Sequence, residues 1–156
     1  MKNRTRIAHT FKTTINGKTE DIFPLLCPVR EYEWLPVWQC EMIYSKSGYA
    51  ELGCVFKTSG LDPWGDETWV VCTYLPNKQI SFIRTSHDRT TRYEISLEDT
   101  KETTLISWTQ EITALTENGD KLVAEYSYEE YQKLMVPLNQ MLDHFVQTGK
   151  CLSKKL

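Results

Sequence analysis

The chain is short of most features that assign a function directly. Its five cysteines (Cys27, Cys40, Cys54, Cys72 and Cys151) form no Cys-x-x-Cys pair, and its three histidines are scattered. The ligand spacing of a zinc site is therefore absent, and neither a metal nor another cofactor is expected. No run of apolar residues is long enough to cross a bilayer, so no membrane span is expected. The start, Met1 to Arg6, is basic, but Lys12, Asn16 and Lys18 interrupt the chain before an apolar stretch can form, which argues against a secretory signal. Together with the odd thiol count this predicts a cytoplasmic protein with reduced cysteines, four of the five serving as small core residues. There is no basic excess either. The formal net charge is −3 with both signs interleaved, which gives no broad attraction for a phosphate backbone and excludes nucleic acid as an expected partner. The Lys150, Lys154 and Lys155 cluster reads as a solvated tail. No nucleophile-elbow serine, Gly-rich phosphate loop or Cys–His pairing is visible. Without repeats, low-complexity tracts or a Gly/Ser linker, residues 1–156 read as one domain.

What is present is the makeup of a folded protein: 40% hydrophobic and 25% charged residues, enough to bury a substantial core at 156 residues. Arg4 to Ile15 alternates, with Ile7, His9, Phe11 and Thr13 on one side, and predicts a first strand. Asn16-Gly17 marks a turn, and Thr19 can cap a short helix carrying Ile22, Phe23, Leu25 and Leu26. Pro28 ends it and opens a second short helix, Val29 to Leu35. From Val37 the period becomes two. Trp38 to Tyr44, Leu52 to Phe56, Glu67 to Leu75, Gln79 to Arg84, Arg92 to Leu97 and Thr103 to Ala114 predict six consecutive antiparallel strands. Asn118-Gly119-Asp120 then opens a helix running to Thr148, stopped by Gly149, with Pro137 marking a kink or break. At 100° per residue its stripe holds Val123, Leu134, Leu138, Met141 and Phe145, with Ser127 and Glu130 as polar members.

This order, carried by Phe23-Pro24-Leu25-Leu26-Cys27-Pro28-Val29-Arg30-Glu31 with Trp34 and Trp38, and by Thr113-Ala114-Leu115-Thr116-Glu117-Asn118-Gly119 leading to His144-Phe145 and Thr148-Gly149, resembles the SRPBCC superfamily. That group spans START domains, Bet v 1-like proteins, polyketide cyclase/dehydrases and chaperone activators, and the present chain looks like an uncharacterised bacterial member. The resemblance implies an α+β helix-grip fold: a curved antiparallel sheet of about seven strands wrapped around a long C-terminal helix, with two short helices between strands 1 and 2. It also implies a ligand cavity between sheet and helix. It does not imply one activity, because the same fold hosts many.

The residues expected to face such a cavity are Trp38, Phe56, Phe82, Tyr93 and Trp108, opposite Leu134, Leu138 and Met141. An aromatic stripe of this kind serves equally as plain core packing. The face presented by Trp69 is ambiguous, since both parities of its strand are partly apolar. Glu130, near the buried stripe, is the candidate carboxylate for proton transfer or ligand anchoring, against the plainer reading of a solvated edge residue in a salt bridge. Arg84, with Ser86, His87 and Asp88, sits at a strand end that could form a polar pocket mouth. Glu31 and Glu33 beside Arg30 read as the wet face of the second short helix. Trp64, between Pro63 and Gly65, is a candidate lid over the cavity or an anchor for its loop. The expected function is binding of a hydrophobic or amphipathic small molecule or lipid, for transport or sequestration. The alternative is a cyclase/dehydratase-like enzyme using Glu130, Tyr93 or Arg84. A chaperone-activator-like interaction module has no positive support, and a homodimer is compatible with this surface.

Overall fold

The computed structural model describes residues 1–60 and 63–152. Leu61 and Asp62 of the expected loop, and the Lys154-Lys155 pair, lie outside the described residues. Seven strands follow the alternation closely: β1 (Arg6–Ile15), β2 (Glu41–Tyr44), β3 (Val55–Thr58), β4 (Glu67–Leu75), β5 (Gln79–Thr85), β6 (Arg89–Thr100) and β7 (Thr103–Ala114). They pair antiparallel in the order β1-β7-β6-β5-β4-β3-β2, a meander whose first strand closes against its last. Register shifts in β2 (Met42/Tyr44) and β4 (Val71/Thr73) insert bulges that help to bend the sheet. The curved sheet and long C-terminal helix make this the Bet v 1-like helix-grip fold.

Between β1 and β2 the chain makes a one-turn helix, α1 (Thr19–Ile22), that runs into a 3-10 turn at Phe23–Leu26. The second expected helix shrinks to a 3-10 turn, Glu31–Glu33. Trp34 anchors this segment. It is 1% exposed, and its indole N–H donates to Leu25 O at 2.9 Å. Trp38 precedes β2 instead of lying in it, and donates to Pro28 O at 2.8 Å.

The C-terminal helix is broken, at Tyr126-Ser127 and not at Pro137. Helix α2 (Glu117–Glu125) ends there, and α3 (Tyr128–Thr148) continues through Pro137 to Gly149, which takes the left-handed conformation (φ 68°) that glycine adopts at little cost. Ser127 is the N-cap of α3, accepting from Glu130 N at 3.2 Å, so the expected polar pair of the stripe is a capping element. The break rotates the buried face. Tyr131, Met135, Asn139 and Leu142 point into the core, while Leu134 is 55% exposed. Two polar contacts pin this face to β7: Tyr131 Oη donates to Trp108 O, and Trp108 Nε1 donates to Asn139 Oδ1, both at 2.9 Å. Only Cys27 and Cys54 are fully buried. Cys40 is half-buried, and Cys72 and Cys151 are exposed, fewer core thiols than expected.

The turn between β5 and β6 is stitched to the start of α2. Asp88 accepts from Thr116 Oγ1 and Asn118 Nδ2, and Leu115 N donates to Asp88 O at 2.8 Å. Gly119 packs against that same carbonyl, and a Cβ there would lie 2.1 Å from Asp88 O. Replacing a helical glycine with alanine normally stabilises by about 1 kcal/mol. At this position the steric clash should win, because overpacking costs roughly 1–3 kcal/mol. Gly119→Ala is therefore expected to lower the melting temperature in a circular-dichroism melt, and a rise would show that the turn and α2 are not held together as described.

Candidate functional site

Each central strand contributes one large aromatic to the concave face. Phe56 (β3) stacks on Trp69 (β4) with ring centroids 5.2 Å apart. Trp69 meets Phe82 (β5) edge-on at 5.5 Å, Phe82 meets Tyr93 (β6) at 6.1 Å, and Tyr93 meets Trp108 (β7) at 6.2 Å. Trp38 closes the row against Phe56 and Trp69. The ambiguity over β4 is thereby resolved: its odd residues Glu67, Trp69 and Val71 face inward. Rings at such spacings prefer edge-to-face geometry, so the row is a firm wall.

Between this wall and α3 lies a pocket of about 480 Å³. Of the expected residues, Trp38, Phe56, Phe82, Tyr93, Trp108, Leu138 and Met141 line it, and so do Arg84 and Trp64. Leu134 also borders it, but as an exposed residue at the mouth beside Val37, Gly60, Lys133 and Pro137. Glu130 does not line it. Its side chain is exposed and lies 3.6 Å from Lys133 Nζ, so the candidate carboxylate is corrected to a solvated edge residue in a salt bridge. Ser86, His87 and Asp88 are likewise absent from the lining, Asp88 being occupied at the start of α2.

An ion cluster beside the pocket joins Arg84 to two residues that local patterns did not single out, Glu67 and Arg89. Glu67, at the start of β4, is wholly buried and takes a two-pronged contact from Arg84 (Nε–Oε2 and Nη2–Oε1, both 2.7 Å). Arg89, the first residue of β6 and 1% exposed, adds a third hydrogen bond to Glu67 Oε1 at 2.8 Å and donates to Thr91 Oγ1 at 3.1 Å. The Arg84 guanidinium lies 4.0 Å above Trp69 and that of Arg89 lies 3.9 Å above Trp64, each gaining cation–π attraction. Burial alone would push the Glu67 carboxyl up, but the two arginines outweigh it and hold it below the ordinary carboxylate range. Burial and the like charge of Arg84 bring Arg89 down to about 10, against the pull of Glu67.

Glu31 is the second correction. It borders the pocket instead of sitting on a wet face with Glu33, which pairs outside with Arg30. Burial pushes its carboxyl well above the usual range, and the attraction of Arg84 recovers only part of this. The direction of that shift favours the protonated carboxyl, the form that can donate a hydrogen bond. The Tyr93 phenol is also pushed well up by burial, and so is a neutral donor. Trp64 is half-buried, lies across Arg89 and meets Tyr126 edge-on at 5.6 Å, so its ring ties the loop to both the cluster and the helix break. Among the described residues, no three His, Cys, Asp or Glu side chains gather as a metal site requires, and no helix is long and apolar enough to cross a membrane.

No family model and no curated protein matches the sequence. Solved structures do match. The chain aligns with norcoclaurine synthase from Thalictrum flavum at a TM-score of 0.68 and 12% identity, covering 94% of this chain and 89% of that one. It aligns with Ara h 8.0201 at 0.65 and 9%, covering 92% and 99%. Protein MLL2253 from Mesorhizobium loti gives 0.64 and 18%, covering 88% and 98%. Identities this low speak for the fold alone: the chain shares the Bet v 1-like helix-grip architecture with these structures over nearly its whole length.

Proposed function

We propose that residues 1–156 act as one ligand-binding domain that holds a small amphipathic molecule in the pocket between sheet and helix, without transforming it. The observation that carries this reading is the pocket's composition. A volume of about 480 Å³ lies within the roughly 300–1,000 Å³ typical of small-molecule sites, and an aromatic wall with a few polar groups at one end is the usual design of such a site. Apolar burial, worth roughly 25 cal/mol per Å², would supply most of the affinity. The fold does not choose between binding and catalysis, since the neighbours include a protein named as a synthase.

The catalytic alternative gains one specific observation: Glu31 borders the pocket, and burial shifts its carboxyl upward, the direction a general acid needs. The groups first expected to move protons do not support it. Glu130 is outside the pocket, Arg84 is tied to Glu67, and the phenol of Tyr93 holds its proton firmly.

Titration calorimetry with flat amphiphiles built on a naphthalene ring tests the binding reading. Saturable 1:1 binding is expected, with a melting-temperature rise of about 5–10 °C at one hundred times Kd. Leu138→Trp, which fills the pocket from α3, should abolish binding while the protein stays folded. Unchanged affinity in that variant would move the site elsewhere.

The state of Glu31 is separately testable through stability. Its folded-state carboxyl titrates above its unfolded value, so its stabilising contribution is complete below about pH 4.5 and is lost as pH rises through the folded value. Glu31→Gln should therefore leave the melting temperature unchanged near pH 4 and raise it at pH 8. An equal shift at both would show that the carboxyl ionises normally.

A further inference from the structure

The pocket's inner end is unbalanced in charge. Glu67 supplies one carboxylate to two guanidiniums, and Glu67 is not itself among the groups lining the pocket, whereas Arg84 and Arg89 are. Seen from the pocket, cations stand in front and their counter-charge lies behind them. Arg84 spends Nε and Nη2 on Glu67, and its Nη1 makes no hydrogen bond among the described residues. Arg89 Nε is buried without a hydrogen-bond partner among the described residues. A buried guanidinium without a full counter-charge is costly, because desolvation takes several kcal/mol per ion and only paired, hydrogen-bonded geometry returns it. Charge-balancing candidates among the described residues are few. Lys133, at the mouth, adds a further positive charge, and Glu31, which borders the same pocket, forms no ion pair with either guanidinium among the described residues.

Resting on the binding reading above, we infer that the ligand of this pocket is an organic anion, a carboxylate or its equivalent on a flat apolar body, whose head seats against Arg84 and Arg89 while its body lies along the aromatic wall. Such a head restores neutrality to the cluster and takes up the unused guanidinium donor of Arg84. The rings that carry the guanidiniums, Trp69 and Trp64, already border the pocket, so the body of the ligand continues from the head without a gap.

The test compares 2-naphthylacetate with its neutral, nearly isosteric amide, 2-naphthylacetamide, by titration calorimetry at pH 7. The acid is expected to bind about 10- to 100-fold more tightly, the range that a hydrogen bond to a charged group gives. Arg89→Met leaves the two-pronged Arg84–Glu67 pair intact and the cluster neutral. It should erase the preference by weakening the acid alone. Equal affinity of the wild-type protein for acid and amide overturns the anion assignment and leaves the binding reading standing. Binding of neither probe overturns both. The wild-type comparison decides the matter even if Arg89→Met does not fold. If the variant folds and keeps the full preference, the arginine cluster is not where the anion sits.

Discussion

A carboxylate that is completely withdrawn from water constrains everything around it, and in this protein that group is Glu67. At the start of β4 its side chain enters the same face as Trp69 and Val71, so it can be buried only if cations arrive from the neighbouring strands. The β4–β5 register sets Arg84 directly across from Trp69, and the turn closed by Ser86 N donating to Arg89 O returns the chain with Arg89 on the same side. A slip of one residue in either pairing would turn a guanidinium to the outer face and leave the carboxylate bare. Losing one partner of a buried pair costs about 3–5 kcal/mol, a large part of the roughly 5–15 kcal/mol that holds a domain together. The cluster therefore fixes strand register as well as pocket chemistry.

From that cluster the constraint passes to the helices through aromatic contacts. Trp64 lies on Arg89, Tyr126 packs edge-on against Trp64, and His9 of β1 donates from Nε2 to Tyr126 O at 2.8 Å. Tyr126 sits at the break between α2 and α3, so the position of the break is tied to the cluster and to the first strand. Next to Arg89 in sequence, Asp88 holds the first turn of α2, with Gly119 small enough to let the backbones meet. The break in turn sets the rotation of α3, which places Tyr131 and Asn139 against Trp108 and leaves Leu138 and Met141 along the pocket. Pocket shape is thus a consequence of where one helix stops and the next begins.

The sheet was legible in the sequence because a period of two sustained over many residues arises from little besides a half-buried strand, and β4 and β7 match their expected bounds residue for residue. The aromatic wall came from the same alternation, Trp69 excepted. What failed were inferences that carried one local period too far. Projecting Asn118 to Thr148 as an unbroken helix placed Ser127 and Glu130 on the buried face, although Ser127-Tyr128-Glu129-Glu130 has the spacing of a capping box, a signal for a new helix start. Reading Val29 to Leu35 as a helix put Glu31 beside Glu33 on one wet face. Positions two apart diverge by about 200° on an α-helix and by about 240° in the three-residue turn that forms, so either geometry separates the pair, and Glu31 reaches the pocket. The Glu67–Arg89 contact joins residues from separate strands, and Arg89 lay outside its expected strand, so no local pattern could pair them.

The two components of the pocket do different work. An aromatic row running across five strands offers nearly equivalent apolar contact along its length, so it favours entry of a flat apolar body without fixing which way the body points. Direction has to come from groups that break that equivalence, and the guanidiniums of Arg84 and Arg89 are such groups. Their influence is strengthened because both arginines are buried, where a charge interaction is several times stronger than at an exposed site. Any selectivity of this pocket would consequently depend less on the many rings that contribute contact area than on the imbalance of one ion cluster.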